Sequence, residues 1–143
     1  MPCVSWKGTT ALVRIASCSC GALKLECRGE PVRLSMCHCR ACQRRTGAPF
    51  GAQARFPRAA VTATGASKRW LRIGDSGLPV TYHFCPECGS NVYWELGAFP
   101  DLIAVAIGGF ADPGFPAPRI SVYERTRHPW TRDIAACEMQ HED

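Results

Sequence analysis

Short apolar and β-branched runs recur along the chain, and glycine, proline, serine or aspartate closes each one. Such runs fall at Ala11–Ala16, Leu23–Cys27, Val32–Met36, Phe50–Phe56, Val61–Thr64, Arg69–Ile73, Val80–Phe84, Asn91–Leu96, Leu102–Ile107 and Ile120–Glu124. Within Leu23-Lys24-Leu25-Glu26-Cys27 and Val80-Thr81-Tyr82-His83-Phe84, apolar and polar positions alternate with the period of a half-buried strand. No stretch sustains a 3.6-residue repeat, so the pattern predicts a mainly β domain. One helical turn is expected at Ala41–Thr46, with Gly47 stopping it. Pro113, Pro116 and Pro118 deny ladder hydrogen bonds to the segment Asp112–Pro118, which reads as an irregular surface connector. There is no internal repeat and no low-complexity tract.

At 143 residues and 46% hydrophobic composition, the chain is expected to form one domain, residues 1–143, with a real core. The longest apolar run, Leu102–Ile107, is far short of a membrane span, so no membrane partner is expected. The opening Met1-Pro2-Cys3-Val4-Ser5-Trp6-Lys7 lacks the apolar core of a secretory signal, which points to the cytoplasm. A formal charge of +5 favours anionic partners weakly. The basic residues are scattered and build no nucleic-acid-binding signature, so nucleic acid is not an expected partner.

Cysteine changes the picture. Seven of the ten cysteines fall into three clusters: Cys18-Ser-Cys20, Cys37-His-Cys39-Arg-Ala-Cys42 and Cys85-Pro-Glu-Cys88. Disulfides between cysteines one or two positions apart would be strained, whereas the same spacing suits metal. A structural zinc takes four protein ligands and a catalytic zinc keeps three. Cys85-x-x-Cys88 with Pro86 and Gly89 reads as a zinc knuckle, and Cys18-x-Cys20-Gly21 is its natural partner. Those four make a closed site that fastens an early hairpin to a late one. Cys37, Cys39 and Cys42 then supply three sulfurs and an open position. His38 points away from Cys37 and Cys39 in an extended chain and reads as a structural histidine. His83, His128 and Cys137 could close the site only through long-range folding. An open three-thiolate zinc suits an incoming thiol, such as glutathione, better than it suits making hydroxide. Arg40, Arg44, Arg45, Lys68 and Arg69 are candidates for a substrate's carboxylates, against the plainer reading of a solvated face. Cys27 shares a face with Leu23 and Leu25 and reads as a small core residue, while Cys3 and Cys137 read as free thiols. Trp70, Trp94, Phe50 and Tyr93 read as core aromatics more than as pocket walls.

The set Cys18-x-Cys20-Gly21, Cys37-His38-Cys39-x-x-Cys42 with Thr46-Gly47 and Phe50, and His83-Phe84-Cys85-x-x-Cys88-Gly89-Ser90 resembles the glutathione-dependent formaldehyde-activating enzyme family. The late Ile120–Trp130 stretch, with Arg125 and Pro129-Trp130, is similar too. The likeness spans residues 10 to 132, roughly. It implies a β-tent of two main antiparallel sheets with zinc sites between strands. It implies two zinc ions per chain, a structural one on Cys18, Cys20, Cys85 and Cys88 and a catalytic one on Cys37, Cys39 and Cys42. The implied activity is a carbon–sulfur lyase reaction on S-hydroxymethylglutathione, formed from glutathione and formaldehyde. The same family includes the vertebrate centromere protein V. Two rival readings therefore use the same residues: a non-catalytic zinc module that binds nucleic acid or protein, and a labile zinc or thiol-redox sensor.

Overall fold

Leu25 and Cys27 alternate with Lys24, Glu26 and Arg28 along a strand whose first two are wholly buried and whose charged neighbours reach water. The same two-residue period organises most of the molecule. The computed structural model describes residues 12–142. Among them lie the strands β1 (Val13–Ser17), β2 (Lys24–Arg28), β3 (Arg33–Cys37), β4 (Gly51–Pro57), β5 (Val61–Thr64), β6 (Lys68–Ile73), β7 (Pro79–Phe84), β8 (Asn91–Leu96), β9 (Leu102–Ala106) and β10 (Ile120–Val122). Each coincides within a residue or two with an apolar run of the sequence, except that β10 stops short of Tyr123. Ala11 and Cys3 lie outside the described residues. The one α-helix, α1 (Arg40–Thr46), ends where Gly47 turns left-handed at φ 68° and donates its N–H to Gln43 O.

The strands form two sheets. A small one runs β1-β2-β5, and a large one runs β10-β3-β4-β9-β8-β7-β6. All pairings are antiparallel except β10 with β3, which is parallel. The expected antiparallel sheets are corrected on that point. β10 comes back to β3 after a long excursion and enters from the same end, a crossing that hydrophobic period alone does not reveal.

Leu25 and Cys27 of the small sheet meet Ala54, Phe56, Ile103 and Val105 of the large one, and these residues form the main core. Burial pushes the Cys27 thiol up to about 12, so it behaves as a small apolar side chain. The proline-rich segment after β9 is irregular, as expected, but it is anchored: the Phe115 ring stacks on Phe110 at 4.5 Å. The opposite face of the large sheet carries a second, smaller cluster of Tyr82, Trp94 and Ala104. Strand register there sets Trp70, Tyr82, Trp94, Ala104, Arg55 and Arg33 side by side across six neighbouring strands. No described helix is long and apolar enough to cross a membrane.

Phe56 is fully buried at the centre of the main core. Phe56→Ala is expected to destabilise the fold by about 3–5 kcal/mol. Chemical denaturation should show a lower midpoint with unchanged slope, and an unmoved midpoint would remove Phe56 from the core's centre.

Candidate functional site

Two turns bring four sulfurs together. Cys18 and Cys20 sit in the β1–β2 turn, and Cys85 and Cys88 in the β7–β8 turn. Gly21 and Gly89 follow each pair at φ 80° and 75°, a conformation that a side chain would strain. Both turns close with matching ladder bonds, Cys18 N to Leu23 O and Cys85 N to Ser90 O, each 2.9 Å. The Leu23 N–H also donates to Cys18 Sγ at 3.2 Å, and the Ser19 and Ser90 hydroxyls join the turns at 3.0 Å. Sulfur–sulfur separations are 3.6 Å for Cys18–Cys20 and 3.7 Å for Cys20–Cys85. A tetrahedral ion with metal–sulfur bonds of about 2.3 Å spaces its sulfurs about 3.8 Å apart. All four ligand atoms lie within 4.8 Å of one another, so this cluster could hold a metal ion. Ser90 pulls the Cys88 thiol down to about 5 through its hydroxyl and its backbone N–H.

The second cluster is built at a strand-to-helix corner. Cys37 is the last residue of β3, Cys39 caps α1, and Cys42 lies in its first turn. The Cys39 sulfur accepts the Cys42 N–H at 3.3 Å, which folds the corner tightly enough to bring the three sulfurs together. These three also lie within 4.8 Å of one another and could hold an ion, with no further His, Cys, Asp or Glu of the described residues completing the group. The hydrogen bond from Cys37 draws the Cys42 thiol down to about 5, and the charge of Arg45 adds to it. Cys37, as the donor beside a thiolate and half-buried, is pushed up.

The corner is clamped from behind by the chain's late segment. His38 N donates to Val122 O at 3.0 Å. Gln43 Nε2 donates to both His38 O at 2.8 Å and Thr126 O at 2.9 Å. Thr126 Oγ1 donates to the same His38 carbonyl at 2.8 Å. The His38 ring turns away from the sulfurs, is buried, meets Ser121 Oγ at 3.2 Å and packs beside Phe50. Burial lowers its pKa and keeps it neutral.

The three-cysteine cluster opens into a cleft of about 230 Å³ on the free face of the large sheet. Arg45, Arg55 and Arg72 line it, against a single acid, Asp75. None of the three arginines pairs with a carboxylate among the described residues. Arg45 follows Cys42 by one helical turn and so faces the same way. Its guanidinium lies 4.2 Å from the Trp94 ring centroid and is held by the Asn91 carboxamide. Tyr123 stands at the cleft with a left-handed backbone, φ 57°, rare for an aromatic residue.

The other candidates disperse. His83 stacks on Tyr93 at 4.2 Å and meets Glu95 at 2.9 Å, on the face away from the cleft. His128 bonds Gln43 Oε1 at 3.0 Å, and Cys137 sits against backbone carbonyls of the C-terminal turns. Among Arg40, Arg44, Arg45, Lys68 and Arg69, only Arg45 lines the cleft. Trp94 is both buried and a cleft wall, and Trp70 is 55% exposed rather than in the core. Sequence reasoning passed over Arg55, Arg72, Gln43, Tyr82 and Tyr123. Only their alternation with Cys37 or Trp94 along neighbouring strands could have pointed to some of them.

The chain matches the family described as "Glutathione-dependent formaldehyde-activating enzyme" across residues 13–126. The match includes all seven clustered cysteines and ends at the Thr126 clamp. Among solved structures, a crystal structure of a Rhodobacter sphaeroides protein, determined as a structural genomics target, is similar with a TM-score of 0.53. It is 21% identical, over 71% of this chain and 90% of that chain, a likeness of fold. No curated protein matches the chain. By its family match, its paired sheets and its cysteine clusters, the chain belongs to the glutathione-dependent formaldehyde-activating enzyme family.

Proposed function

We propose that this chain is a zinc-dependent carbon–sulfur lyase acting on a thiol–aldehyde adduct such as S-hydroxymethylglutathione. The observation that carries this reading is a three-cysteine cluster, without a fourth ligand among the described residues, at the end of an arginine-lined cleft. Cys18, Cys20, Cys85 and Cys88 would hold a structural zinc, and Cys37, Cys39 and Cys42 a catalytic one. All-sulfur donor sets in tetrahedral spacing suit zinc. Zinc held by three cysteines would keep an incoming thiol as thiolate at neutral pH, which supplies the nucleophile. The work of the chain's own residues is to collect, orient and protonate. Arg45, Arg55 and Arg72 draw an anionic thiol inward. In the forward step the glutathione sulfur forms a bond to the formaldehyde carbon. The C=O π pair moves onto oxygen, and the proton lost by the thiol ends on that oxygen. The reverse step breaks the same carbon–sulfur bond and returns the proton. Burial, and then the nearby Asp75 carboxylate, pushes the Tyr123 hydroxyl up, so it stays protonated and is a donor at the same cleft. Cytoplasm is the setting that keeps such thiols reduced.

Purified protein is expected to carry two zinc equivalents by elemental analysis, and excess glutathione should alter the occupancy or spectrum of one of them. Two zincs indifferent to thiol would favour a non-catalytic zinc module.

Cys39→Ser should stay folded and lose one equivalent, whereas Cys85→Ser should lose solubility because it opens a closed site. A soluble, fully folded Cys85→Ser protein, or loss of both ions in Cys39→Ser, would contradict the division of roles.

The zinc-loaded protein should speed exchange between glutathione plus formaldehyde and their adduct, read by exchange NMR. A rate equal to the uncatalysed one would sink the lyase assignment.

A further inference from the structure

A polar stripe leads from the sulfurs along β3 and β4. Cys37 pairs with Gly51, Ser35 with Gln53 and Arg33 with Arg55, all on one face of the sheet, where Cys37, Gln53 and Arg55 line the cleft and Arg33 stands just beyond its wall. Gln53 Nε2 donates to Ser35 Oγ at 3.0 Å, so the middle of the stripe is satisfied. Its far end is not. Arg33 and Arg55 stand directly opposite each other, an arrangement of like charges that costs stability. Neither has a carboxylate partner among the described residues, and the Nε of each is buried without a hydrogen-bond partner. The Arg55 guanidinium rests 4.9 Å from the centroid of Phe99, itself a cleft wall, which holds the charge in the cleft. Burial and the neighbouring Arg33 charge both oppose the charged state of Arg55. An anion between the two would turn that repulsion into a clamp, because guanidinium forks grip carboxylates two bonds at a time.

Spacing selects the ligand. Four steps along β3 lead from Arg33 to Cys37, about 13 Å at roughly 3.3 Å per residue. In glutathione the thiol sits on the middle residue, and the γ-glutamyl carboxylate on its far arm lies about 10 Å from the sulfur when that arm is extended, the arginine side chains reaching back over the remainder. A thiol of two or three heavy atoms beyond sulfur cannot span this gap.

We propose that Arg55, backed by Arg33, is the specificity-determining anion receptor of this cleft, selecting thiols that carry a carboxylate as far from the sulfur as the γ-glutamyl carboxylate of glutathione. The inference rests on the lyase reading for the position of the sulfur. It assigns Arg55 no part in bond making.

The test uses S-methylglutathione, whose capped sulfur cannot become a thiolate, and its diethyl ester. Calorimetry on zinc-loaded protein is expected to show the acid binding at least about tenfold more tightly than the ester, the worth of one charge-assisted pair. R55Q should bind acid and ester alike, and R33Q should lose part of the preference. Equal binding of acid and ester by the unaltered protein, binding of neither, or full preference retained in R55Q would overturn the proposal. Should R55Q fail to fold, R33Q decides, and full preference there would overturn it. If the preference exists and R55Q abolishes it while glutathione and formaldehyde exchange at the uncatalysed rate, the anion receptor stands and the lyase assignment falls.

Discussion

Four sulfurs from two distant turns meet within 4.8 Å, and the attitude of the two sheets to each other depends on that meeting. Cys20 and Cys85 are 65 positions apart in the chain and 3.7 Å apart in space. Held as thiolates, sulfurs so close would repel strongly in a partly buried setting, and a cation bound among them would remove that repulsion. With one, the repulsion would become coordination, and a long loop would close at an entropic cost that grows only slowly with its length. The β1–β2 hairpin of the small sheet is thereby fastened to the β7–β8 hairpin of the large one. Leu25, Cys27, Phe56 and Val105 fill the space between them. Because the small sheet covers one face of the large sheet, the other face is left for a cleft.

The second cluster is held differently. Its three sulfurs occupy a single strand-to-helix corner, and hydrogen bonds from behind hold that corner. Gln43 ties it to Thr126, and Val122 and Ser121 of β10 receive both the N–H and the ring of His38. The parallel pairing of β10 with β3 has a clear use here: it delivers this clamp to the back of the corner and sets Tyr123 at the front. His38 is consumed in positioning, so the sulfurs face the cleft without a histidine beside them.

Local chemistry is legible in this sequence, and lateral neighbourhood is not. Strand positions followed from two-residue alternation, and α1 followed from the Gly47 stop. The grouping of the cysteines followed from spacing, since turns of one or two residues leave sulfurs little freedom. The parallel β10 escaped because its pairing depends on where a long loop returns. Arg33 and Arg55 escaped for a related reason. Each looks like an ordinary charged residue in its own strand, and only register reveals that they stand opposite each other. Arg45 was a candidate only alongside Arg40 and Arg44, for its closeness to Cys42 in sequence; the helix period, which puts it on the same face as Cys42, is what singles it out in the structure. Trp94 was read as core and is core, yet it also forms a wall, since an aromatic in the middle of a sheet can pack with one edge and expose another.

The two faces of the large sheet divide stability from chemistry. The inner face follows the rules of a packed core: small and large apolar residues interlock and no charge is stranded. The outer face breaks those rules in several places at once. Two arginines oppose each other, three guanidiniums face one carboxylate, and Tyr123 holds a left-handed backbone. Each departure costs free energy that the inner face and the four-sulfur closure must offset. Costs scattered at random would suggest a loosely selected surface. Here they converge on the cleft that begins at Cys37, Cys39 and Cys42, and every uncompensated charge there but Asp75 has the sign that attracts a carboxylate-bearing thiol. An anionic thiol bound there would relieve those charges, which is the arrangement expected of a site built for such a ligand.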